Sequence, residues 1–101
     1  MELKAGTRLR SATDTTEVII VRAPTGDVDV RCGGTPLLPI DAEPSGEPIQ
    51  EGFGEGSLLG KRYADEDLGL EILCTKGGPA SLSVGADVLA VKGAKALPAS
   101  D

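Results

Sequence analysis

The segment Glu17–Cys32, with the sequence EVIIVRAPTGDVDVRC, decides the fold class of this chain. Its first part, Glu17–Arg22, is rich in β-branched residues and apolar on both faces, which predicts a central strand covered on both sides. Val28–Cys32 alternates apolar and polar residues, with Cys32 on the apolar face. Between these segments, Pro24–Asp27 is typical of a turn. We therefore expect the two strands to pair as a hairpin.

The β pattern returns toward the C-terminus. Leu70–Cys74 alternates in the same way, and Cys74 falls on its apolar face. Ser81–Val84 and Val88–Val91 flank a short glycine-led turn, which suits a second hairpin. The segment at 57–67 fits either a short helix capped by Ser57 or a strand.

These elements predict an all-β fold. We count six to seven short antiparallel strands, separated by turn signals at intervals of roughly 8–12 residues. Such a pattern is typical of a small barrel or sandwich, formed as a single domain over residues 1–101. No alternation of strands with helices is visible, so a doubly wound parallel sheet is not expected.

One stretch differs from the rest in charge and composition. Residues 41–60 hold five acidic and no basic residues, five glycines and two prolines, whereas the other 81 residues hold 11 acidic and 10 basic residues. The formal net charge of -6 therefore belongs almost entirely to this stretch. We expect residues 41–56, called the acidic loop below, to form a long mobile loop. Its carboxylates are the candidate partner-binding residues: Asp41, Glu43, Glu47, Glu51 and Glu55.

The composition excludes several functions. The 101 residues include no His, which removes Ser-His-Asp triads, Cys-His pairs and His-ligated metals. Phe53 and Tyr63 are the only aromatic residues, and the chain is acidic, so binding to nucleic acid or to an anionic membrane is not expected. The N-terminus has no apolar run of signal-peptide length, which predicts a cytoplasmic protein.

Cys32 and Cys74 leave four interpretations open. Both lie on apolar strand faces, as buried thiols commonly do. A disulfide between them is disfavoured in a reducing compartment. A zinc site would need four ligands, and hence four thiolates from a dimer, whereas a reactive thiol would need a positively charged neighbour. The cofactor prediction is therefore none, with zinc at these two cysteines as the alternative.

The two cysteines also occupy similar segments, which lie 42 residues apart. Val28–Pro36 and Leu70–Pro79 each combine apolar-acidic-apolar alternation, a cysteine, a pair of glycines and a proline. This similarity suggests that the two segments mark symmetry-related halves of the sheet.

Other motifs match known sites only in part. The segment GFGEGSLLGKR lacks the glycine and hydroxyl positions of a phosphate-binding P-loop. Asp65–Asp67 lacks the spacing of an EF-hand. The basic pair Lys61 and Arg62 is expected to form local charge pairs, with a small anion site as the alternative.

Three functional hypotheses follow. The first is a small non-catalytic binding or accessory module that contacts a protein partner or a second copy of itself through the acidic loop. The second is a thiolate-metal or redox protein that uses Cys32 and Cys74. The third is a carboxylate-based enzyme, with a pair such as Asp65 and Asp67, or a barrel that binds a small ligand.

Overall fold

The computed structural model describes residues 3–92, in which the chain forms ten short strands and no helix. The strands are β1 (Arg8–Arg10), β2 (Glu17–Arg22), β3 (Val30–Cys32), β4 (Thr35–Pro36), β5 (Leu38–Pro39), β6 (Arg62–Asp65), β7 (Leu70–Lys76), β8 (Leu82–Val84), β9 (Asp87–Val88) and β10 (Ala90–Val91). None of the described segments is a helix that could cross a membrane.

The strands form two antiparallel sheets, which confirms the all-β prediction. The six-stranded sheet has the order β10-β6-β7-β2-β1-β5, and the four-stranded sheet has the order β4-β3-β8-β9. The arrangement is sandwich-like and is not a closed barrel. One cluster of buried apolar side chains is drawn from both sheets, and it includes Val18, Ile20, Val30, Ile72 and Leu82.

Strand β2 lies at the centre of the larger sheet, between β1 and β7, as its sequence predicted. Its inner residues Val18 and Ile20 are each only 1% exposed. The outer residues Ile19 and Val21 are half-buried. The outer face of β2 is therefore covered only in part, short of the cover on both sides that the sequence predicted.

The hairpin expected between Glu17–Arg22 and Val28–Cys32 does not form. Strand β2 pairs with β1 and β7, whereas β3 pairs with β4 and β8 in the other sheet. The reason lies in the turns. Gly33 and Gly34, with φ of 67° and 85°, give β3 a two-residue turn into β4, and paired positive φ values suit a tight hairpin. The segment through Pro24–Asp27 instead carries the chain from one sheet to the other.

The ten strands exceed the six to seven expected because β4 and β5 were not predicted and because the predicted strand Val88–Val91 is divided into β9 and β10. After β4 the chain turns at Leu37 into β5, and after β9 it turns at Leu89 into β10. Both leucine side chains are buried, at 2% and 7% exposure. At each corner the chain leaves the four-stranded sheet and enters the six-stranded sheet.

The segment at 57–67 forms a strand rather than a helix. Its chain first reverses at Leu58–Lys61, where the Lys61 amide donates to the Leu58 carbonyl, and then enters β6. Strand β6 pairs along its whole length with β7, with Tyr63 opposite Ile72. The predicted second hairpin is confirmed in part, because β8 pairs with β9 across Gly85 and Ala86, while β10 belongs to the other sheet.

The strand orders show a two-fold relation between the first five strands and the last five. When each of β1–β5 is exchanged with the strand five places later (β1 with β6, β2 with β7 and so on), each sheet has the same strand order read from its opposite edge. This relation matches β3 with β8, and β2 with β7. The sequence similarity between the two cysteine segments matched β3 with β7 instead. Those two strands lie in different sheets, so the cysteine segments are not symmetry mates. The prediction of two related halves was right, but the residue equivalence on which it rested was wrong.

Candidate functional site

The acidic loop has no regular secondary structure, as predicted, and joins β5 to the turn before β6. Its five carboxylate residues are all exposed, namely Asp41, Glu43, Glu47, Glu51 and Glu55. Within the described residues the salt bridges join Arg31 to Asp29, and Arg62 and Lys92 to Glu71. None of the five loop carboxylates is neutralised by a basic residue of residues 3–92.

Hydrogen bonds hold the acidic loop to the body at both ends. In its first part, the amide of Gly46 donates to the carbonyl of Ala12, and the amide of Gln50 donates to the carbonyl of Gly33 (2.9 Å). In its second part, the carbonyl of Phe53 accepts from the amide of Ser81 (2.7 Å). The loop therefore has fixed anchors, while its mobility stays a prediction.

A shallow cavity of about 320 Å³ lies between the acidic loop and the four-stranded sheet. Its lining includes Asp29, Arg31, Gln50 and Phe53. The Arg31 guanidinium donates to the Asp29 carboxylate (2.9 Å) and to the carbonyl of Gly34 (3.0 Å), and the Gln50 side chain donates to the same carbonyl (3.1 Å). Because these polar groups bond mainly to one another, the cavity wall is a structural network under the loop.

A second, partly apolar groove of about 250 Å³ runs beside the second corner. Leu58, Tyr63, Val88 and Val91 contribute to its wall, and Leu58 and Val88 are 59% and 45% exposed. The Tyr63 hydroxyl accepts from the amide of Leu58 (2.9 Å), which holds the exposed leucine at the rim.

Cys32 and Cys74 are free thiols and fully buried, at 0% exposure each. Burial raises the pKa of the Cys32 thiol to about 11, and burial also raises the pKa of Cys74. The Cys74 thiol donates to the carbonyl of Lys76 (3.3 Å). Thiols with raised pKa are poor nucleophiles and poor metal ligands. No group of three or more His, Cys, Asp or Glu residues converges within residues 3–92. The thiolate-metal hypothesis therefore gains no support from this geometry.

Asp14 is a structural carboxylate that the sequence analysis missed. One oxygen, Oδ2, accepts from the amide of Ala80 (2.9 Å) and the hydroxyl of Thr16 (2.9 Å), and Oδ1 accepts from the amide of Thr16 (3.2 Å). Burial works to raise the pKa of Asp14, but the hydrogen bonds of Ala80, Ser11 and Thr16 outweigh it and lower that pKa below 3.8. The polar run at 11–16 was the available signal, since Ser, Thr and Asp favour such turns.

Glu71 is a second structural carboxylate that was missed, and it is buried. It is 3% exposed and accepts hydrogen bonds from Lys92 (2.6 Å) and Arg62 (3.1 Å), and the bond from Lys92 is the main cause of its lowered pKa. Arg62 thus forms the charge pair expected of it, although its partner lies on β7.

Of the proposed carboxylate pair at Asp65 and Asp67, the Asp65 carboxylate has a structural role. The Asp65 side chain accepts from the amides of Asp67 (3.1 Å) and Leu68 (3.2 Å), and so closes the turn between β6 and β7.

Comparison of this chain with protein-family models, with curated proteins and with solved structures finds no match in any of the three.

Proposed function

We propose that this chain is a small non-catalytic binding module that contacts a basic protein partner through its acidic loop. The observation that carries the proposal is the presentation of five exposed carboxylates on one anchored segment, none of them paired with a basic residue of residues 3–92. Anchoring reduces the entropy lost on binding, because the hydrogen bonds of Gly46, Gln50 and Phe53 already restrict the segment.

Electrostatics determines what such a surface recognises. Residues outside 41–60 are nearly balanced in charge, so the acidic loop is the main source of negative potential. A positively charged surface is attracted to it, and the attraction accelerates association and weakens as salt is added. The partner class is therefore a lysine- or arginine-rich protein segment.

The test neutralises the loop without removing its anchors. Deletion of residues 41–56 would also remove the bonds to Ala12, Gly33 and Ser81, so amide substitution is preferable. The loop variant carries Glu43→Gln, Glu51→Gln and Glu55→Gln. The control variant changes the net charge equally at exposed acids elsewhere, with Asp27→Asn, Glu66→Gln and Asp87→Asn.

Binding of a labelled lysine-rich peptide is measured by fluorescence anisotropy at low and high salt. We expect the loop variant to bind about tenfold more weakly than the control, which corresponds to about 1.4 kcal/mol. Equal binding by the two variants would contradict the proposal. Proteins that the wild type and the control retain from a lysate, and the loop variant does not, are then the candidate partners.

A further inference from the structure

The two halves of the chain are related by a pseudo-two-fold axis that can be assigned residue by residue. In the β2·β7 pair, Ile19 lies opposite its mate Leu73, and in the β3·β8 pair, Arg31 lies opposite its mate Ser83. The first pair joins residues 54 positions apart, the spacing that also relates the β1·β2 register to the β6·β7 register, and the second pair joins residues 52 positions apart. The same axis therefore passes through the central strand pair of both sheets.

Hydrogen bonds outside the ladders follow the same relation. The amide of Gly33 donates to the carbonyl of Ser81 (2.9 Å), and its mate, the amide of Gly85, donates to the carbonyl of Asp29 (2.8 Å). Such a reciprocal pair is the signature of an isologous interface, in which each side makes the contact that the other side makes.

The two sheet-changing corners are also mates. The Leu37 amide donates to the carbonyl of Val30, and the Leu89 amide donates to the carbonyl of Leu82. The donor and the acceptor of the second bond each lie 52 positions after those of the first. The molecule is thus built like a symmetric dimer of two five-stranded halves, joined by one covalent connection.

The acidic loop divides at one point between these halves. Its part up to Gln50 bonds to Ala12, Gly33 and Gly34, all in the first half. Its part from Phe53 onward bonds to Ser81, and Ser57, which follows the loop, bonds to Gly78 and Ala80, all in the second half. The two parts meet in a turn through Glu51 and Gly52, which the amide of Phe53 closes by donating to the carbonyl of Gln50 (3.0 Å).

We infer that two copies of this chain can exchange halves by opening the turn at Glu51 and Gly52. In the exchanged dimer, the first half of one copy pairs with the second half of the other through the same β2·β7 and β3·β8 contacts. Opening the turn breaks the bond from Phe53 to Gln50, while the anchors of the acidic loop stay within their own halves. The partner is a second copy of the chain, and the inference does not depend on the proposed function.

The connection determines which form prevails. A covalent link keeps the two halves at a high effective concentration, which favours the closed monomer at low protein concentration. Strain in the turn favours exchange, since the open form releases it. Gly52 has φ of 90°, which β-branched residues strongly disfavour.

The test compares two glycine substitutions with equal backbone strain. Gly52→Val strains the turn between the halves, and Gly26→Val strains a turn inside the first half, where φ is 85°. A Cβ atom at either glycine meets nothing within 4 Å. Each protein is refolded from denaturant at low and high concentration, and its mass is measured by size-exclusion chromatography with light scattering.

We expect Gly52→Val to raise the dimer-to-monomer equilibrium constant at least about tenfold over Gly26→Val. That dimer should persist on dilution, because its dissociation requires unfolding. A variant that lacks Glu51 and Gly52 should form a discrete, folded dimer at all concentrations. Equal dimer fractions in the two valine variants, or a deletion variant that is a folded monomer or unfolded, would overturn the inference.

Discussion

Single carboxylates join parts of this molecule that are distant in the sequence. Asp14 lies in the turn between β1 and β2, yet its carboxylate accepts the amide of Ala80 in the other half. Glu71 is buried between Arg62 and Lys92. Sequence reasoning could place both residues near strands, but their partners lie up to 66 positions away and were not visible in any local pattern. The burial of Cys32 and Cys74 was predictable, because strand alternation alone decides it.

The stability of the protein should fall in acid in a way that depends on Asp14. Its pKa is lowered in the folded state, so its contribution is complete above the unfolded value near 3.8 and is lost as pH falls through the folded value. We expect Asp14→Asn to lower the free energy of unfolding by about 1–3 kcal/mol at neutral pH and to reduce its acid dependence.

Urea unfolding at about pH 6 and about pH 3 measures this effect. Part of the acid dependence should remain in Asp14→Asn, because the pKa of Glu71 is lowered as well. Asp27→Asn, at an exposed site, should unfold like the wild type. An acid dependence that is unchanged in Asp14→Asn would show that the carboxylate does not act as the structure indicates.

The two thiols should be inert in the native protein. Both are fully buried with raised pKa, so their reaction with a thiol reagent requires the protein to open. We expect labelling at least about 100-fold slower than in urea. Fast native labelling, or zinc retained by the purified protein in elemental analysis, would instead favour the thiolate hypothesis.

At the scale of elements, the sequence identified strands better than it identified their partners. The alternation at Val28–Cys32 and Leu70–Cys74 placed the core-facing residues correctly, whereas Glu17–Arg22, apolar on both faces, did not show which face is buried. The pairing was wrong at Pro24–Asp27, because a turn motif shows that the chain bends and not that the flanking strands stay in one sheet. The paired glycines at 33–34 carried the stronger hairpin signal, since both have positive φ.

The pseudo-symmetry provides a matched pair of glycines for testing turn packing. Gly33 and Gly85 are mates with φ of 67° and 57°, so alanine at either site incurs the strain of the left-handed region, about 1–2 kcal/mol. A Cβ atom at Gly33 would also lie 2.6 Å from Oγ1 of Thr13, whereas at Gly85 it meets nothing within 4 Å.

Gly33→Ala should therefore be the more destabilising of the two substitutions, by about 1–3 kcal/mol, which is typical of overpacking. Thermal or urea unfolding of both variants measures the difference. In Gly33→Ala with Thr13→Ser, the Oγ1 contact remains while one methyl group is removed, so only part of the loss should be recovered. Equal destabilisation of the two alanine variants would mean that Thr13 moves away at no cost.

At the scale of the whole molecule, the sequence indicated duplication but aligned the wrong segments. The similarity of the cysteine segments has a spacing of 42 positions, and the structural repeat has a spacing of 54 in β1 and β2 and of 52 in β3 to β5. At these spacings the mates are chemically alike mainly where they are buried, as with Val18 and Ile72, or Leu37 and Leu89. Core positions tolerate exchange among apolar residues, so few identities survive for a sequence comparison to detect.

The two halves should unfold together, although each half also has backbone hydrogen bonds of its own. The amide of Ile20 donates to Thr7 within the first half, and the amide of Cys74 donates to Lys61 within the second. The two halves share one apolar cluster, and a chain of about 50 residues can rarely bury enough surface to be stable alone. Hydrogen exchange at both amides should therefore require global unfolding, so the free energy of exchange at each should equal the free energy of unfolding.

Native-state hydrogen exchange of a variant in one half tests this coupling. Leu37→Ala removes a buried side chain from the first half and should lower the exchange free energy of both amides equally, by about 2–5 kcal/mol. Leu59→Ala, at a side chain 68% exposed, should change neither by more than about 0.5 kcal/mol. If Leu37→Ala lowered protection at Ile20 and left Cys74 unchanged, the halves would be independent folding units. Equal loss at both amides would show that the interface across the pseudo-two-fold axis stabilises each half.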